Sequence, residues 1–222
     1  MNKQNKIDFA LRTPKMFNDK KIIIRKTGDS LICAVDELSY CFDTLAHGIY
    51  QKNKNYSLEF LTAILNSTPA TIFYRLLHDI KGKVFAKISL DNLSSFPIPN
   101  CDTSQRNEIE GTSIKLSALS KELNDENLKF QRSLQRKFEL DSLPKTLQNW
   151  YLLNYSKFIG ELGKLKIKLT LSQEAEWEDY FIAESNKVRA IRSEIDGINK
   201  SLNKSIYKMY GITNDEIEII DK

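Results

Sequence analysis

The side chains able to do acid–base, nucleophilic or metal chemistry are few in this sequence and stand apart from one another. It holds two histidines, His47 and His78, and three cysteines, Cys33, Cys41 and Cys101. Zinc needs three or four such ligands at workable spacing, and neither histidine has Cys or Glu partners so placed. No Gly-x-x-x-x-Gly-Lys-Ser/Thr loop is present to wrap a phosphate, and no Gly-x-Ser-x-Gly turn to present a nucleophile. Phe158-Ile159-Gly160-Glu161-Leu162-Gly163 has the glycine spacing of a nucleotide or S-adenosylmethionine turn. Such a turn works by following a strand and opening a helix, so that backbone amides face the ligand. The aromatic, helix-like stretch before it predicts a helix instead. An Asn-Pro-Pro-Tyr run for adenine methylation is absent, as is the Pro-Asp and Glu-x-Lys arrangement of many nucleases. Asp36-Glu37 and Asp215-Glu216 read as a turn and a helix start. The expectation is no catalytic residue, no metal site, no cofactor and no enzyme activity within this chain.

What the sequence does concentrate is cations beside amides and aromatics. Binding to a duplex needs positive charge for phosphates and polar side chains that reach base edges. Lys15, Lys20, Lys21, Arg25 and Lys26 crowd the first apolar run and its approach. Lys52 and Lys54 alternate with Asn53 and Asn55 in Gln51-Lys52-Asn53-Lys54-Asn55, whose amides can both donate and accept at bases. Arg75, Lys81, Lys83 and Lys87 surround Gly82, with Tyr74 and Phe85 interleaved, and His78 beside these basic residues can at most touch a phosphate. Residues 1–100 hold 14 Lys or Arg against 9 Asp or Glu, whereas residues 101–222 hold 19 against 20. The basic excess therefore belongs to the first part, as expected if that part alone faces a polyanion. The expected DNA-binding residues are Lys20, Lys21, Arg25, Lys26, Lys52, Asn53, Lys54, Asn55, Arg75, His78, Lys81, Lys83 and Lys87.

The elements that must position these residues change character along the chain. Lys21-Ile22-Ile23-Ile24-Arg25, the turn Thr27-Gly28-Asp29-Ser30 and Leu31-Ile32-Cys33-Ala34-Val35 predict a hairpin with Gly28 at positive φ. Tyr40-Cys41-Phe42 is the expected third strand. Leu58, Leu61 and Leu65 with Phe60 and Ile64 mark a helix behind the N-cap Ser57, and Thr68-Pro69 starts a second that runs to Leu77. Gly82 to Ile88 alternates like a strand. Phe96-Pro97-Ile98-Pro99 is expected to end the domain, because a central strand excludes prolines.

Beyond Asp102 the period is helical. Ile109, Leu116, Leu123 and Phe130 are seven apart, as are Phe181, Val188, Ile195, Leu202 and Met209, and two such seams pack most simply as an antiparallel pair. The connection of residues 141–176 contains Pro144 and an aromatic piece, Trp150 to Phe158, expected to cap the pair as a shorter helix. Gly211 suits a helix C-terminus, and Thr213-Asn214-Asp215-Glu216 is a capping box. The predicted class is α+β: a small mixed sheet-and-helix domain over 1–100, then a long antiparallel helical, coiled-coil-like pair over 101–222. No run approaches the roughly 18 apolar residues of a membrane span. The polar start Met1 to Lys6 leads into no signal core, so the expected place is the cytoplasm, with no membrane contact.

Several segments, in order, carry a family resemblance: Lys21 to Asp29; Tyr40-Cys41-Phe42-Asp43-Thr44-Leu45; Tyr56 to Ser67; Gly82-Lys83-Val84-Phe85; and Phe96-Pro97-Ile98-Pro99 with Gln105 behind it. This series resembles the TaqI-like C-terminal specificity domain of type IIG restriction enzymes and related adenine methyltransferases. Glu174 to Phe181, Ile195-Asp196 and Ile206 to Ile217 resemble the region C-terminal to that domain in larger members. The resemblance implies a module that clamps double-stranded DNA and reads its sequence, while methylation and cleavage belong to a methyltransferase or endonuclease domain or subunit. Those domains are missing here, which implies a C-terminal piece or a separate specificity subunit. The rival reading is a helical protein-interaction scaffold without DNA affinity, and a nuclease with an unrecognised site is a third.

Overall fold

In the computed structural model the described residues are 15–78 and 87–220, and they form two compact units. One comprises the described residues up to Ile114 together with Lys200 onward, and the other is Lys115–Asn199. The class is α+β, with one three-stranded antiparallel sheet and two long helices.

The first unit opens with a turn of helix, α1 (Lys15–Asn18), and three strands, β1 (Lys21–Arg25), β2 (Cys33–Asp36) and β3 (Ala46–Tyr50). The order is β2-β1-β3, so the β-branched run at Ile22–Ile24 fills the central strand and the hairpin forms as expected. Ile22 and Ile24 point one way and are fully buried, each contributing about 1.5–3 kcal/mol by leaving water. Gly28 in the hairpin turn has φ +146°, and a Cβ there would strike the Arg25 guanidinium.

The third strand is displaced from its expected place. Asp36 accepts the backbone N–H groups of Leu38 and Tyr40, and Ser39 takes φ +59°, so Tyr40-Cys41-Phe42 is irregular and lies outside the strands. The strand forms later, at Ala46-His47-Gly48-Ile49-Tyr50, where Gly48 leaves room for the Phe42 ring. Helices α2 (Leu58–Asn66) and α3 (Thr68–Leu77) come next. Ser57 caps the first as expected, but the second is capped by Ser67 and not Thr68, with Pro69 one position further in. The Asn66 amide donates to and accepts from the Cys33 backbone at 2.8 Å each way, closing the β2 edge. The expected strand at Gly82 to Ile88 lies outside the described residues up to Ala86, and Lys87 makes one antiparallel bridge to Thr27. A short helix unforeseen in the sequence, α4 (Leu90–Ser94), starts on the Ser89 hydroxyl.

The second unit is built on the two apolar seams. Helices α5 (Thr103–Phe138) and α8 (Leu171–Met209) run antiparallel there: Ser133 meets Tyr180, Glu126 meets Lys187, and Lys115 meets Glu194. Between them come α6 (Lys145–Gln148), a 3-10 turn at Trp150–Leu152 and α7 (Tyr155–Lys164). The fully buried Phe130 stacks on Trp150 at 3.6 Å and on Tyr180 at 5.4 Å, with Phe158, Trp177 and Phe181 edge-on around it. Arg189 donates to the carbonyls of Tyr151 and Leu153 and ties the connection to α8.

Each of the helices α5, α8 and the last, α9 (Asn214–Ile220), begins on a reciprocal capping box: Asp102 with Gln105, Thr170 with Gln173, and Thr213 with Glu216. Gly211 takes φ +74° at the α8 terminus, as its position predicts. Gly160 and Gly163 lie inside α7, away from any strand-to-helix turn. Among the described residues no helix is long and apolar enough to cross a membrane.

Candidate nucleic-acid interface

The candidate cations fall into three states: sequestered, paired with acids at the surface, and free of ion pairs among the described residues. Lys21 is sequestered. Its ammonium is fully buried, donates to the Phe17 carbonyl at 2.6 Å and forms an ion pair with Asp36, which faces it across the hairpin. Burial alone would raise the Asp36 pKa, but donation from Lys21 and from the Leu38 and Tyr40 N–H groups outweighs it and holds the carboxyl below its usual value. A lysine in that position anchors the sheet and has no surface to offer a phosphate, so it leaves the set of candidate contacts.

Lys20 lies between Glu37 at 2.6 Å and Glu59 at 2.5 Å, and those two carboxylates raise its pKa. Arg75, on the last turn of α3, donates to the carbonyl and the carboxylate of Asp29, and so ties that helix to the first hairpin turn. Both cations are already matched with acids. His78 caps α3 with its ring 4.7 Å from that of Tyr74, and its Nε2 is buried without a hydrogen-bond partner among the described residues. Lys81 and Lys83 lie outside the described residues, as does the side chain of Lys15.

Arg25, Lys26, Lys52, Lys54 and Lys87 enter no ion pair among the described residues. The backbone draws three of them together. Arg25 ends β1 opposite Ala46, Lys26 exchanges backbone bonds with Leu45 and Ile88, and Thr27 bridges Lys87. His47, on the neighbouring strand, bonds the Ile88 carbonyl through Nε2 at 3.0 Å and reinforces that junction. Residues far apart in sequence thus meet at one end of the sheet with a local positive charge.

The Asn-rich loop is elsewhere. It follows Tyr50, which pairs with Lys21 at the opposite end of β1, four residues or about 13 Å along the strand from Arg25. Its geometry is built from both sides. Gln51 donates to the Tyr56 carbonyl, and the Asn53 side chain accepts from the Asn55 N–H. Arg106, from the first turn of α5, donates to the Asn55 carbonyl at 2.5 Å while its guanidinium lies 4.8 Å from the Tyr56 ring centre. Glu110, one turn on, accepts the Ser57 hydroxyl that caps α2. Lys52, Asn53, Lys54 and Asn55 remain exposed on this brace. Sequence reading missed Arg106 and Glu110, whose one local signal was the capping box that starts α5.

Over the sheet-bearing part the family comparison finds similarity to a specificity domain, which supports a target-recognition role in restriction-modification. Residues 2–98 match the TaqI-like C-terminal specificity domain, so the resemblance read from the sequence holds over that stretch. Residues 102–206 match a second family, a domain of unknown function. No curated protein matches the chain.

Proposed function

We propose that this chain recognises sequence in duplex DNA for a type II restriction-modification system of the IIG kind, the methyltransferase or endonuclease activity being supplied elsewhere and none residing here. The observation that carries the reading is the junction of Lys26 with Ile88 and Thr27 with Lys87, which brings the backbones of Arg25, Lys26 and Lys87 to one end of the sheet, none of the three in an ion pair among the described residues. These three, with Lys52 and Lys54 across the sheet and Lys81 and Lys83 beyond the described residues, contact phosphates. Asn53 and Asn55 on the braced loop read bases, each good bidentate contact discriminating by about 1–3 kcal/mol. Arg75 reads a base only by leaving Asp29, which makes it the costlier reader. A methyltransferase or endonuclease partner completes the grip on the duplex.

Titration of labelled duplexes of varied sequence across a salt series tests the reading. Binding is expected to weaken steeply with salt, by a log–log slope of about 0.9 per phosphate contact. The Lys52→Ala/Lys54→Ala variant is expected to weaken all sequences alike, and Asn55→Ala to change the order of preference. Binding absent at low salt, or indifferent to ionic strength, would overturn it.

A further inference from the structure

The helical half is nearly neutral as a whole, yet its charge is not evenly spread. From Leu128 to Phe138 the helix α5 carries Lys129, Arg132, Arg136 and Lys137 and not one acid. At 100° per residue, Lys129, Arg132 and Arg136 fall within a sector of about 60° and span about 10 Å of helix axis. The buried side chains of the same turns, Phe130 and Leu134, lie on the opposite side of the helix, so the cationic stripe faces away from the unit's core. Lys129, Arg132 and Arg136 are exposed, and together with Gln135 they line a shallow open groove. Gln135 is fixed by donating towards the Leu140 and Asp141 carbonyls. Lys129 reaches Glu126 only at 3.4 Å, and that carboxylate is shared with Lys187 at 2.5 Å. Arg132 and Arg136 enter no ion pair among the described residues.

We infer that this stripe is a second phosphate-binding surface, taking the sugar-phosphate backbone of duplex DNA independently of the sheet-bearing unit. The inference rests on the proposed DNA reading and extends it to the part of the chain whose family has no known function. Guanidinium groups favour phosphate because their planar forks match its oxygens, and two of the three cations here are arginines. Contacts of this kind hold the duplex without reading it, so the stripe adds affinity and salt dependence but no sequence preference.

The test compares the full chain with its Lys129→Gln/Arg132→Gln/Arg136→Gln variant, whose changes lie on an exposed helix face and whose helicity is checked by circular dichroism. Duplexes of several sequences are titrated at five or so salt concentrations. Loss of three phosphate contacts lowers the log–log salt slope by about 2.7, weakening every sequence by the same factor. A variant whose slope and affinity equal those of a DNA-binding wild type overturns the stripe and leaves the proposed function standing. A wild type that binds no duplex overturns both. If the variant keeps its DNA slope but loses self-association in sedimentation, the occupant is an acidic face of a second copy, and the inference is wrong.

Discussion

Lys21 and Asp36 face each other across the first hairpin with 0% and 3% of their side chains exposed, and that burial decides what each residue does. Removing one member of a buried pair leaves the other charged and unmatched, at a cost of about 3–5 kcal/mol. Asp36→Asn is therefore expected to destabilise the fold by that amount in urea at neutral pH. Lys21→Met/Asp36→Asn should recover part of the loss, and a double variant no better than Asp36→Asn alone would deny the coupling. The pH dependence has a definite sign. The Asp36 pKa is lowered in the folded state, so its contribution is complete above the ordinary carboxylate range and disappears as pH falls through the lower folded value. Acid should thus erode wild-type stability more than that of Asp36→Asn. The sequence marked Asp36 correctly as a turn former, since an Asx turn is local. It could not mark Lys21 as buried, because a lysine at a strand start is the same whether its partner is a carboxylate or water.

At the scale of elements, the Asn-rich loop at residues 51–55 is held by a helix that begins about 50 residues later. Arg106 stacks on Tyr56 and holds the Asn55 carbonyl, while Glu110 secures the α2 cap. Arg106→Gln is expected to leave the sheet intact and to speed amide hydrogen exchange over residues 51–57 by roughly tenfold, the equivalent of ~1.4 kcal/mol of local opening. Unchanged exchange there would show that the loop stands without its brace. Local chemistry made several elements legible beforehand: the hairpin around Gly28, the Ser57 cap, the seven-residue seams and the Thr213 box. β3 was not, because His47 and Gly48 have little strand preference of their own. Pairing with β1 and the Phe42 ring over Gly48 outweigh that preference.

At the scale of the molecule, the first compact unit is not finished at the end of its family match. It includes the first turns of α5, where Ile109 is buried, and the chain from Lys200, where Leu202, Ile206 and Tyr207 are buried. Tyr210 packs on Phe73 and donates to the Pro97 carbonyl, and Asn203 bonds Thr68 through both backbone and side chain. A fragment of residues 1–100 is expected to melt well below the full chain, followed by circular dichroism and by dispersion of its amide resonances. A fragment as stable as the whole would show these additions to be dispensable. The sequence by itself determined the α+β class, the helix starts at Ser57 and Thr213, the seven-residue seams and the specificity-domain resemblance, because periodicity, capping and turn chemistry act over a few neighbouring residues. Only the tertiary structure decided which cations are free. Lys20 is matched by Glu37 and Glu59, and Arg75 by Asp29, 46 residues away, whereas Arg25, Lys26 and Lys87 enter no ion pair among the described residues. Neutralisation falls off with distance in space and not along the chain, so a count of charges in a segment leaves open which of them remain for a partner.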